Sequence, residues 1–133
     1  MSASAALAAL CLSSGALQAS VVTTAFELQW MHSIEKTQWL EHWEVTPKIL
    51  TLVRASIATS GAGMDIPDNA VLVNGVYEYP VNVQLSSVTL SHSPYTAQAT
   101  LCINNHCQPL SNWLPGLPAI AAVELAACQR PVR

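Results

Sequence analysis

Apolar and polar positions alternate along most of this chain with a period of two, the signature of half-buried extended strands. Phe26, Leu28, Trp30 and His32 fall on one side of the first clear segment, and Glu27, Gln29, Met31 and Ser33 on the other. Trp39, Glu41, Trp43 and Val45 repeat the pattern against Leu40, His42 and Glu44. With Ile34 to Thr37 as the connection, the two segments predict a hairpin. In it His32 opposes Trp39, Trp30 opposes Glu41, Leu28 opposes Trp43 and Phe26 opposes Val45. Both aromatic faces then lie on the same side of the sheet, which is the condition for a stable register.

The same reading continues downstream. Pro47 and Lys48 mark a turn, and Ile49 to Thr59 predicts a third strand with Thr51, Val53, Ala55 and Ile57 on one face. Ser60 to Asn69 is a loop, Ala70 to Val73 a short strand, and Asn74-Gly75 a tight hairpin turn. Val81, Val83 and Leu85 alternate in one phase and Val88 and Leu90 in the other, which predicts a β-bulge at Ser86-Ser87. Thr96 to Ile103 and His106 to Leu110 form a last hairpin. Many short strands separated by turns give an all-β fold, a small antiparallel β-sandwich or open barrel. The C-terminal stretch breaks the pattern. Pro118 suits the first position of a helix, and Ala119 to Cys128 is Ala-rich and apolar on nearly all sides. It predicts a short helix or strand that closes the core, or an apolar tail that docks on a partner.

Composition sharpens the picture at the N-terminus. Of 133 residues only 10% are charged, and none of these lies in Met1 to Ala19. That run predicts a signal peptide ending at Ala19, or an N-terminal anchor, although no Lys or Arg precedes it. Cys11 lacks the small preceding residue that lipoprotein processing requires. The remaining residues, 20–133, then form a single β-rich domain in the periplasm, and no other segment approaches the apolar length of a membrane span. Membrane contact is expected only through a partner or an uncleaved N-terminus. The net charge of -3, with five Lys and Arg scattered singly, gives no basic groove and excludes nucleic-acid binding.

Export would remove Cys11 and leave Cys102, Cys107 and Cys128, hence one bridge and one free thiol. Asn104-Asn105 tolerates the positive φ of a two-residue turn, which sets Cys102 directly opposite Cys107 at disulfide distance. A metal reading of Cys102, His106 and Cys107 needs a fourth ligand, and none is nearby. The sequence therefore predicts neither metal nor cofactor.

Two groups of residues invite a binding role. His32 faces inward beside Trp39 and diagonal to Glu41, with Trp30 and Trp43 close by. This is either a polar recognition site, a proton-transfer pair, a metal ligand with its carboxylate, or a buried His satisfied by hydrogen bonds. Ser60-Gly61-Ala62-Gly63-Met64 is either an anion-binding nest or a glycine-rich turn, and it lacks the sequel of a phosphate loop. Asp65, Asp68 and Asn69 lack calcium-loop spacing. Ser33 points away from His32, so the two form no dyad. Catalysis has no support in the sequence.

The stretch from Phe26 to Tyr79 resembles the bacterial family catalogued as domain of unknown function 1850. An alternating strand ends in His32-Ser33-Ile34-Glu35, a Glu-containing strand carries Glu41, Trp43 and Glu44, and Ser60 to Met64 follows as a glycine loop. Val76-Tyr77-Glu78-Tyr79 stands where a closing aromatic segment is expected. The resemblance implies an exported accessory component of a TAXI-type tripartite ATP-independent periplasmic (TRAP) uptake system. Its implied partners are the membrane permease and the solute-binding protein. It implies no catalytic residue. His32, Ser33, Glu35, Glu41, Ser60, Gly61, Gly63 and Met64 are motif positions without an assigned role.

Overall fold

Two antiparallel sheets face each other across the core of the computed structural model, which describes residues 6–31, 38–58 and 67–131. The strands are β1 (Ala6–Ser14), β2 (Leu17–Val22), β3 (Ala25–Met31), β4 (Gln38–Val45), β5 (Leu50–Ala58) and β6 (Val71–Val73). They continue with β7 (Val76–Leu85), β8 (Ser87–His92), β9 (Thr100–Ile103), β10 (His106–Pro109) and β11 (Ala121–Pro131). One helical turn, α1 (Leu110–Trp113), precedes β11. The small sheet runs β2-β1-β11-β8 and the large one β10-β9-β3-β4-β5-β7-β6. The molecule is an all-β sandwich, not a closed barrel.

The apolar run expected to be a leader is built into this sandwich. Ala8, Leu10 and Leu12 of β1 point inward with Leu17, Ala19 and Val21 of β2, and Leu10 and Leu12 are almost fully buried. The boundary expected at Ala19 falls inside β2, where Ala19 pairs with Leu12. Of the two forms expected for the tail, a helix or a strand, the structure has the strand. β11 lies between β1 and β8, with Val123 and Leu125 buried opposite Leu90 and Val88. Alanine permits this because a small side chain fits either face of a sheet, so the alternation of Val123, Leu125 and Ala127 decides the direction.

Cys11 and Cys128 point to the outer face of these two adjacent strands and are joined by a disulfide, with Cα atoms 6.0 Å apart. Cys128 is therefore not the free thiol that a leader containing Cys11 would leave. The expected Cys102–Cys107 bridge is present across β9 and β10. Asn104 and Asn105 carry φ of 52° and 67° in the turn between them. Asn74 and Gly75, at 51° and 81°, turn β6 into β7 in the same way. The Asn104 side chain also donates to the Val22 carbonyl at 3.3 Å, pinning this turn where the chain crosses between sheets at Thr23-Thr24.

Two expected registers change. In the β3–β4 hairpin Trp30 opposes Trp39, Leu28 opposes Glu41 and Phe26 opposes Trp43, two residues away from the expected pairing. The faces are unaltered because a slip of two preserves the pleat. The observed register stacks Phe26 on Trp43 (5.8 Å between centroids) and Trp30 on Trp39 (6.2 Å). It matches aromatic with aromatic, where the other would set Trp30 against Glu41. In β5 the ladders to β4 and to β7 both shift at Val53, so Leu50 and then Ala55 and Ile57 face the core. The single face expected for Thr51, Val53, Ala55 and Ile57 is thus split by a bulge. Pro80, which has no N–H to give to a ladder, lies at the same kink opposite Arg54. The phase change expected as a bulge at Ser86-Ser87 is instead a sheet crossing. β7 ends at Leu85 in the large sheet, β8 begins at Ser87 in the small one, and the Ser86 carbonyl accepts from Ala127 N–H at 3.0 Å.

Candidate functional site

The inner face of the large sheet is laid out in straight rows. Leu28, Glu41, Ala55 and Tyr79 lie side by side across β3, β4, β5 and β7. The neighbouring row is Trp30, Trp39, Ile57 and Tyr77. Period two on a strand that begins its inner face with Trp39 places Glu41 inward between two tryptophans, an unusual position for a carboxylate.

Glu41 is half-buried, and the Trp43 indole Nε1–H donates to its Oε1 at 3.1 Å. Burial pushes its carboxyl above the ordinary range, and the Trp43 hydrogen bond opposes that shift. The Tyr79 hydroxyl, in the same row, is pushed up by burial and then by the Glu41 charge. Edge strand β8 and the segment after it lie over this part of the sheet. Leu28, Trp30, Met31 and Glu41 thereby face Leu90, Ser91, Thr96, Ala97 and Ala99 across a cleft of about 320 Å³. A carboxylate on the floor of an apolar cleft holds its proton more tightly than an exposed one and, once ionised, attracts a cation.

The folded carboxyl binds its proton to a higher pH than the same group does in the unfolded chain. Ionising Glu41 therefore costs stability above the raised value, and that cost disappears below the ordinary carboxylate range. Glu41→Gln, which retains an acceptor for Trp43, is expected to raise Tm at pH 8 and to change it little at pH 4. Thermal melts at the two pH values check this, and an equal shift at both would contradict it.

A second polar feature occupies the outer face. The Glu27 carboxylate lies 3.5 Å from Nδ1 of His42 directly across β3 and β4, with Arg54 next in the row. The expected register sets Glu27 opposite Glu44, so this pair becomes visible only with the correct pairing.

Of the expected site residues, Trp30 and Glu41 line the cleft, Trp39 stacks behind Trp30, and Trp43 anchors the Glu41 carboxylate. His32, Ser33, Glu35, Ser60, Gly61, Gly63 and Met64 lie outside the described residues. The cleft wall from Leu90 to Ala99 and the neighbour Tyr79 are not among the expected residues, since nothing local in the sequence says which strand covers Glu41. Among the described residues no cluster of three His, Cys, Asp or Glu side chains is placed to hold a metal.

A family model described as Domain of unknown function (DUF1850) matches residues 26–110. The chain belongs to that family. No curated protein and no solved structure matches it. The family span runs from β3 to the start of α1 and contains the whole row around Glu41. It includes the large sheet but only β8 of the small one. Strands β1, β2 and β11, with the Cys11–Cys128 bridge, lie on either side of it.

Proposed function

We propose that this protein is an exported accessory component of a TAXI-type TRAP uptake system, acting by contact with the membrane permease or the solute-binding protein. The two disulfides support export, because such bridges persist in oxidising compartments. No helix among the described residues is long and apolar enough to cross a membrane. The observation that carries the contact reading is the end of the large sheet. There Val71, Leu72 and Val73 of edge strand β6 are 61%, 57% and 43% exposed. Edge strands in isolated proteins are normally short, charged or covered, and an apolar one offers a template for a partner's strand. The C-terminal strand β11 is by contrast paired on both sides and contributes Val123 and Leu125 to the core.

Affinity purification from solubilised membranes of the protein's own host is expected to recover the permease or the solute-binding protein. Leu72→Lys should abolish that recovery and leave Tm nearly unchanged, as exposed substitutions usually do. Recovery of the protein alone, or full recovery with the Lys variant, would contradict the contact reading. A second reading, small-ligand binding by the Trp-lined face, has its own support in the cleft floored by Glu41.

A further inference from the structure

Among the described residues, the cleft's lining holds one charged group, the carboxylate of Glu41, and no Lys, Arg or His. The other described lining residues are mostly apolar, with the Ser91 and Thr96 hydroxyls among them. We propose that this cleft binds a small organic cation, an ammonium head carried on an apolar body. The inference rests on the ligand-binding reading of the cleft and names the ligand class that reading leaves open.

Three observations converge on a cation. A half-buried carboxylate without a countercharge is poorly compensated, and an apolar or anionic occupant would strip water from it without replacing the lost interaction. An ammonium supplies both charge and donors. A carboxylate accepts about four hydrogen bonds, so capacity remains beyond the one that Trp43 provides. The Trp30 ring, braced by its stack on Trp39 at an interplanar angle of 12°, lines the same cleft. Tryptophan is the best aromatic side chain for attracting a cation. Leu28 and Leu90 receive the apolar body, and about 320 Å³ lies at the small end of the range for ligand cavities. That size fits a compact small molecule better than a peptide.

Hexylammonium, hexanol and hexanoate share one body and differ in the charge of the head, so they serve as probes. Each is titrated at pH 7.5 into the full chain and into Glu41→Gln, followed by NMR shifts of the Trp30 indole. Hexylammonium is expected to bind saturably and to lose about tenfold in affinity in Glu41→Gln, the worth of one charge-assisted hydrogen bond. Hexanol should bind both proteins alike, which also shows that the variant is folded. Hexanol or hexanoate binding as tightly as hexylammonium, or no loss in Glu41→Gln, would overturn the cation inference and leave the cleft a ligand site. No binding of any probe would overturn both.

Discussion

Replacing Cys11 and Cys128 together by serine is expected to lower the unfolding free energy by about 4–5 kcal/mol, from the loop-closure entropy that the bridge removes from the unfolded chain. The two cysteines are separated by 117 residues, so the bridge closes nearly the whole sequence into one loop. Cys102 and Cys107 are separated by only 5. The same relation gives about 2 kcal/mol for their removal. Urea denaturation of the two double variants measures the contrast directly. Its sign is the informative part, because both bridges sit between adjacent antiparallel strands and differ chiefly in the length of chain they close. Equal losses, or a larger loss for Cys102 and Cys107, would contradict the account of the small sheet.

The second large effect concerns the first nineteen residues. A chain beginning at Ser20 is expected to show no cooperative unfolding and no fixed near-ultraviolet circular dichroism. Such a chain loses all of β1 and half of β2, so β11 would lose its longest pairing, from Ala6–Pro131 to Ser13–Glu124. It also loses Leu10 and Leu12, both almost wholly buried in the core cluster that holds Val123, Leu125 and the inner face of the large sheet. Each buried leucine is worth about 2–5 kcal/mol when cut back to alanine. Two of them together reach a large share of the roughly 5–15 kcal/mol that holds a typical domain folded. Leu12→Ala gives the graded version of the same experiment and should itself cost about 2–5 kcal/mol. A folded, cooperative chain starting at Ser20 would show that β1 is dispensable.

Much of the large sheet is legible in the sequence. The alternation of Phe26, Leu28 and Trp30 against Trp39, Glu41 and Trp43 identifies the inner face, and Asn74-Gly75 and Asn104-Asn105 identify two turns. The inward position of Glu41 follows from period two alone. What the pattern does not supply is pairing over distance. A slip of two residues leaves every side chain on the same face, so alternation cannot tell Trp30 opposite Trp39 from Trp30 opposite Glu41. The aromatic stacks choose, and they are a property of the assembled hairpin. The bulge at Val53 is hidden because Leu50, Leu52, Val53, Ala55 and Ile57 are all apolar enough to fit either phase.

The small sheet is hard to read for a related reason. Ala6 to Ser14 and Ala121 to Cys128 combine alanine with few charges, so both faces of the strand look apolar and the period disappears. A charge-free run at the start of a chain then resembles a leader, and an alanine-rich run at the end resembles a helix. The cysteines hold the missing signal. Pairing Cys11 with Cys128 accounts for all four cysteines as two bridges, whereas a leader containing Cys11 leaves one thiol over. The cleft is half legible. Its carboxylate and tryptophans are visible in the pattern, but its roof requires the sheet crossing at Ser86 that carries β8 over β4.

The apolar N-terminal run is a strand of the sandwich, locked to the C-terminal strand by the Cys11–Cys128 bridge. Mass spectrometry of the protein isolated without reduction from its own host tests this most directly. The expected result is a peptide containing Cys11 covalently joined to one containing Cys128, with Cys102 joined to Cys107. A mature chain starting at Ser20 with the Cys128 thiol free would contradict it.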